Sequence, residues 1–123
     1  MSSKGQTILI CDDSLLVRKK MKDYLNELGD FNVIEASNGE SSIDMFRQNN
    51  PDLVFLDIVM PDKNGIDALN EMRKINSEAK IVMLSSSGTR KHLKESMDAG
   101  ASDFIQKPWE ESQIEHIVKN VFK

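Results

Sequence analysis

The chain has 123 residues, 39% of them hydrophobic and 29% charged, which is enough for one globular domain that buries a core without disulfides or a structural metal and which excludes disordered, collagenous and low-complexity classes. Sixteen Lys and Arg against twenty Asp and Glu leave a net charge of −4, the opposite of the basic face that a nucleic-acid backbone attracts. One Cys and two His offer neither an internal disulfide nor a zinc spacing.

Short β-branched runs alternate with longer segments of helical spacing along the chain. The runs are Thr7–Cys11, Asn32–Glu35, Asp52–Leu56, Lys80–Leu84 and Phe104–Ile105. After the first, Val17, Met21, Tyr24, Leu25 and Leu28 form a helical stripe ended by Gly29. Ser37 with Glu40 reads as a capping box opening a second helix through Ile43 and Phe46. Asp62-Lys63-Asn64-Gly65 reads as a turn, and Ala68, Leu69, Met72 and Ile75 mark a third helix. A fourth, Arg90–Asp98 before Gly100, has only Leu93, Met97 and Ala99 as apolar anchors and is expected to be the least firmly held. Ile114, Ile117, Val118 and Val121 mark the last. Five β–α units in series predict an α/β fold with helices on both faces of a parallel sheet. Within the third run Leu53-Val54-Phe55-Leu56 is continuously apolar, as a central strand buried on both faces should be, and right-handed crossovers favour a doubly wound, flavodoxin-like order 2-1-3-4-5. No linker or repeat interrupts the pattern, so residues 1–123 are expected to form one domain.

No apolar run approaches the roughly 18 residues of a membrane span. The opening Met-Ser-Ser-Lys-Gly-Gln leads into too short an apolar stretch for a signal peptide. A cytoplasmic location without membrane contact is the expectation.

Ligands of such sheets bind beyond the carboxyl ends of the strands. Asp12-Asp13 follow the first strand, Asp57 the third, Ser85 the fourth and Lys107 the fifth. Any one of these suits a cap or a solvated turn, but five together on adjacent strand ends do not reduce to capping. Two carboxylates about 5 Å apart repel by about 3 kcal/mol at an effective dielectric near 20, so the cluster must protonate or take a cation. Oxygen-only ligands on a rigid rim suit Mg²⁺. With Lys107 opposite, the rim is arranged to hold a phosphoryl group on a carboxylate, and Asp57 is the natural nucleophile.

These residues resemble the receiver domains of bacterial two-component response regulators, most of all the single-domain chemotaxis regulators of the CheY type. The matching segments are Asp12-Asp13, Phe55-Leu56-Asp57-Ile58-Val59-Met60-Pro61 through Gly65, Ser85 after Ile81–Leu84, and Ala99–Pro108 with Phe104 and Lys107. The resemblance covers the whole chain. It implies Asp57 as phosphoacceptor, with Asp12, Asp13, Asp57 and the main-chain carbonyl of Val59 holding Mg²⁺. It implies Ser85 and Lys107 as phosphoryl contacts, and Ser85 with Phe104 as the switch pair, Ser and Phe standing where Thr and Tyr are frequent. Lys107-Pro108 resembles the family's cis peptide. The implied partners are a histidine kinase as phosphodonor and a downstream protein bound by the fourth helix, fifth strand and fifth helix, with the chain a monomer that binds no nucleic acid. The implied activity is self-phosphorylation and dephosphorylation rather than turnover of an external substrate. Chemotaxis is the preferred setting; the alternatives are a receiver from a longer transcriptional regulator and a stand-alone phosphorelay intermediate.

Other readings fit less well. A flavin mononucleotide binder needs a Ser/Thr/Gly-rich loop where Asp12-Asp13 stand. A dehalogenase-type phosphatase needs a second Asp where Val59 stands, and a degenerate receiver would lack one of the five rim residues. Cys11 reads as an inert core thiol, His92 and His116 as solvated, and Arg18-Lys19-Lys20 as a solvated face or a docking surface for an acidic partner. Trp109 reads either as a reporter of Lys107 or as a packing residue.

Overall fold

The computed structural model describes residues 5–86 and 90–122; Met1–Lys4, the start of the N-terminal segment discussed above, lie outside them. The strands are β1 (Thr7–Cys11), β2 (Asn32–Ala36), β3 (Leu53–Asp57), β4 (Lys80–Ser85) and β5 (Asp103–Gln106). The helices are α1 (Leu15–Leu28), α2 (Gly39–Asn49), α3 (Gly65–Ile75), α4 (Arg90–Asp98) and α5 (Glu111–Val121). All strand pairs are parallel and the order is β2-β1-β3-β4-β5, as the sequence predicts. No helix among the described residues is long and apolar enough to cross a membrane.

Alternation along the strands builds two cores. Leu9, Cys11, Val54, Leu56, Ile81 and Met83 face α2 and α3, meeting Ile43, Phe46, Leu69 and Met72. Ile8, Ile10, Leu53, Phe55, Val82 and Leu84 face α1 and α5, meeting Met21, Leu25, Ile114 and Ile117. Every residue of β3 is buried, which is why its run carries no polar alternation. Truncating one of these larger side chains to Ala costs about 2–5 kcal/mol.

Local chemistry sets the helix ends. Ser14 caps α1, its Oγ accepting from Val17 N at 3.3 Å, and Asn64 caps α3 by accepting from Ile66 N at 2.7 Å. The α2 cap departs from expectation. Asn38, not Ser37, is the N-cap, and it forms a reciprocal box with Ser41 rather than with Glu40. The reason is tertiary: Asp62, from the loop after β3, accepts from the Gly39 and Glu40 N–H groups at 2.6 and 3.0 Å. Those hydrogen bonds hold the Asp62 carboxyl below the usual carboxylate range, and the helix N-terminus favours the anion.

α4 also differs from its expected anchoring. Leu93 and Met97 are 43% and 47% exposed and anchor nothing; only Ser96 of this helix is buried, and Ala99 packs on the core beyond its end. Its C-terminus is held by polar contacts. Gly100 N and Ala101 N donate to Met97 O and Ser96 O at 3.1 and 3.0 Å, a Schellman arrangement that puts Gly100 at φ +94°, where a residue without Cβ is favoured.

Candidate functional site

The β-ladder continues one residue past the strand ends and fixes the rim. Asp12 N donates to Ala36 O at 3.1 Å, Ile58 N to Leu84 O at 3.0 Å and Lys107 N to Ser85 O at 2.7 Å. Asp12, Asp57, Ser85 and Lys107 are thereby brought to one edge of the sheet. Asp12 and Ser85 are fully buried, Asp57 is 4% exposed, and Asp13 is exposed. The Asp12, Asp13 and Asp57 carboxylates each place an oxygen within 4.8 Å of the others.

Lys107 joins two of them. Its Nζ donates to Asp12 Oδ2 at 2.7 Å and to Asp57 Oδ2 at 3.0 Å. The remaining oxygens are held by backbone: Asp12 Oδ1 accepts from Ser14 N at 2.9 Å and Asp57 Oδ1 from Val59 N at 3.3 Å. Burial pushes the Asp57 carboxyl above its ordinary range, against the pull of the Lys107 hydrogen bond and charge. Burial by itself pulls Lys107 down, but its hydrogen bonds to Asp12 and Asp57 outweigh that and raise it. With all three carboxylates ionised and one ammonium, the cluster is left with two uncompensated negative charges. An oxygen-only donor set of that charge fits a hard divalent cation.

The loop after β3 is clamped on both sides. Gly65 N donates to Ile58 O at 2.7 Å, and a Cβ on Gly65 would lie 2.2 Å from Asp57 O and 2.7 Å from Ile58 Cα, so only glycine allows α3 to start there. Lys63 pairs with Glu71 of α3 and Glu40 of α2, and Asp62 holds the α2 N-terminus. Val59, between these clamps, is 59% exposed at the rim.

Cys11 is buried and its thiol is pushed up to about 12 by burial, consistent with an inert core residue. His116 is exposed. Phe104 is half-buried against the α2–α3 core, and the Lys107-Pro108 peptide is cis.

Arg18 departs from the solvated-face alternative read for its basic triplet, and His92 from the solvated position read for it. Arg18 is half-buried: its Nη1 donates to Asp12 O at 2.7 Å and its Nε to Glu35 at 3.0 Å, bolting α1 to the end of β1. Helical spacing carries the signal, since Arg18 precedes buried Met21 and Leu25 by three and seven positions. His92 is also half-buried, with Nδ1 3.4 Å from Ser85 Oγ. Its partner lies on another element, which local sequence does not reveal.

The family model described as the response regulator receiver domain matches residues 8–119. The chain is 38% identical to a chemotaxis protein CheY from Thermotoga maritima over 97% of this chain and 99% of that protein. It is 34% identical to a probable transcriptional regulator, ycf27, from Guillardia theta, over 96% of this chain but only 46% of that protein. Among solved structures, a response regulator receiver domain protein from Clostridium thermocellum superposes with a TM-score of 0.88 at 26% identity, covering 94% of this chain and 93% of that one. With its sheet order, its acidic rim and a family match that runs almost end to end, the chain belongs to the response regulator receiver domain family.

Proposed function

We propose that this chain is a phosphoacceptor of a two-component system, one receiver unit over residues 1–123, that takes a phosphoryl group from a histidine kinase onto Asp57. The observation that carries the reading is the Lys107 ammonium spanning Asp12 and Asp57 within an acidic cluster at the strand ends. An Asp57 carboxylate oxygen attacks phosphorus; the new P–O bond forms as the P–N bond of the donor phosphohistidine breaks, its electron pair staying on the imidazole nitrogen. Lys107 then neutralises an equatorial phosphoryl oxygen. Ser85, at the end of the neighbouring strand, supplies a hydroxyl donor to the product.

Asp12, Asp13, Asp57 and the Val59 carbonyl would hold Mg²⁺, which supplies charge neutralisation for the transferring group. The carboxylate spacing supports the three Asp members of that donor set. The chain acts as a stoichiometric acceptor, not as a turnover enzyme. Its downstream protein partner binds the α4–β5–α5 face, where Leu93 and Met97 are exposed and Phe104 is half-buried, poised to repack with Ser85. It does so as a monomer in the cytoplasm, with no part for nucleic acid or membrane.

Chemotaxis is the preferred setting, supported by the likeness to a chemotaxis protein over nearly the full length of both chains. The second reading, a receiver within a longer transcriptional regulator, is favoured by a relative of which the match spans under half.

Incubation with acetyl phosphate and Mg²⁺ tests the acceptor. Wild type should take up acid-labile phosphate and Asp57→Asn should not, with an unchanged fold by circular dichroism; normal uptake by the variant removes the assignment. Affinity capture from native cytosol with and without beryllofluoride separates the settings: a flagellar-motor protein retained by the activated form supports chemotaxis, and a transcription component opposes it.

A further inference from the structure

Ser85 is fully buried at the end of β4, and its Oγ lies 3.4 Å from Nδ1 of His92, in the first turns of α4. His92 also lines a cavity of about 240 Å³ with the Ile58–Asn64 loop that follows the candidate acceptor strand. The imidazole therefore stands between the hydroxyl at the sheet edge, the loop beside Asp57 and the helix of the proposed output face.

We propose that His92 is a positioning residue for Ser85: in the unphosphorylated protein Nδ1 of the neutral imidazole accepts the Ser85 hydroxyl proton, so the hydroxyl must leave His92 before it can donate to a phosphoryl group at Asp57. The proposal rests on the phosphoacceptor reading above. A serine hydroxyl has one proton and a neutral imidazole one acceptor nitrogen, so His92 and a phosphoryl oxygen compete for the same donor. The competition links the site to α4 through a hydrogen bond. When the hydroxyl turns to the phosphoryl group, the N-terminal half of α4 loses a tether. The C-terminal end keeps its Schellman bonds and the Arg73 hydrogen bonds to Gly100 O. The N-terminal end of α4 is then the end expected to move.

A neutral hydrogen bond of this length is worth roughly a two- to fivefold bias between the two arrangements. Beryllofluoride affinity in Mg²⁺, measured by calorimetry on the full chain, reads that bias. His92→Leu should tighten binding two- to fivefold, and the gain should vanish in a Ser85→Ala background, because the competition acts only through the hydroxyl. His92→Gln, whose amide oxygen also accepts, should stay within about twofold of wild type. The same gain in both backgrounds would assign His92 a purely structural role and overturn the proposal.

A second readout needs neither metal nor phosphoryl analogue. Imidazole ¹⁵N spectra of the metal-free protein at about pH 8 should show an unprotonated Nδ1 whose resonance shifts in Ser85→Ala. A protonated Nδ1 overturns the proposal, and this spectrum decides by itself if His92→Leu does not fold. Failure of wild type to bind beryllofluoride would instead strike the phosphoacceptor reading and leave the spectrum to judge the Ser85–His92 contact.

Discussion

Lys107 Nζ stands 3.0 Å from Asp57 Oδ2, across fifty residues of sequence, and the attraction does not bring the carboxyl back to its ordinary range: burial still leaves Asp57 raised. A carboxyl raised in the folded state contributes stability below its unfolded value of 3.8 and loses it as pH rises through the folded value. Asp57→Asn keeps the shape and removes the charge. In metal-free buffer the variant is expected to be more stable than wild type near pH 7, with the gain fading below about pH 4, where the wild-type carboxyl is protonated in both states. Urea melts at the two pH values measure this, and an equal gain at both would place the cause outside ionisation.

Gly65 starts α3 against the β3 backbone. Its missing Cβ would meet the Asp57 carbonyl at 2.2 Å, and that neighbour is main chain, which moves only with the strand. Gly65→Ala should cost about 3 kcal/mol, the upper range for overpacking, and should weaken Mg²⁺ binding by displacing Asp57 and Val59 together. Thermal melts and metal titration check both parts; a variant of wild-type stability would mean that the loop yields without strain.

The rim was legible where apolar runs end abruptly in polar residues. Asp57 closes a run of buried strand residues, and Asp12 and Lys107 follow strands whose order the crossover rule sets. What stayed hidden depends on partners distant in sequence. Asn38 rather than Ser37 caps α2 because Asp62, more than twenty residues on, occupies the next two N–H groups. Arg18 looked solvated within a basic triplet, yet the carbonyl of Asp12 and Glu35 of β2 draw it inward. Leu93 and Met97 looked like anchors because they are apolar, whereas the buried residue of α4 is a serine, which hydrophobic periodicity does not register.

Arg73 ties two loops together. Its guanidinium donates to Gly100 O at 2.9 and 2.6 Å and to Ala79 O, and burial lowers its proton affinity from the usual arginine range. A lysine offers no planar fork and leaves some of these carbonyls unmet. Arg73→Lys should cost about 1–2 kcal/mol and should speed amide exchange at Ala99, Gly100 and Ala101 more than in β1 or β3. Uniform acceleration across the sheet would show a global loss instead of a released helix end.

Ser96 Oγ is buried and has no hydrogen-bond partner among the described residues. Removing an unsatisfied hydroxyl avoids its desolvation cost, and alanine is the better helix former by about 0.5 kcal/mol. Ser96→Ala is expected to stabilise the protein by about 1 kcal/mol, a rise in Tm of about 4 °C for a domain of this size. A fall in Tm would mean that the hydroxyl makes a contact the alanine cannot replace.

Of the two roles that the sequence left open for Trp109, packing is the one the structure shows. Trp109 is 8% exposed within the α1–α5 core, tilted against Tyr24 with ring centroids 6.3 Å apart, and the Lys20 ammonium lies 5.4 Å from its ring centre. With Val17, Lys20, Ser86, Lys107 and Pro108 it also lines a cavity of about 290 Å³, so the indole shares a wall with the lysine that spans Asp12 and Asp57. On the proposed acceptor role of Asp57, a phosphoryl group there would offer Lys107 a new acceptor. Any shift of that side chain changes the charge and packing next to the ring. Saturating beryllofluoride with Mg²⁺ should therefore change Trp109 emission. Lys20→Met should alter the starting spectrum by removing a cation–π contact worth about 0.5–1 kcal/mol, yet leave the beryllofluoride response in place, because that response comes through Lys107. Constant emission, with binding verified by calorimetry, would reduce Trp109 to a packing residue. A response lost in Lys20→Met would route the signal through α1 instead.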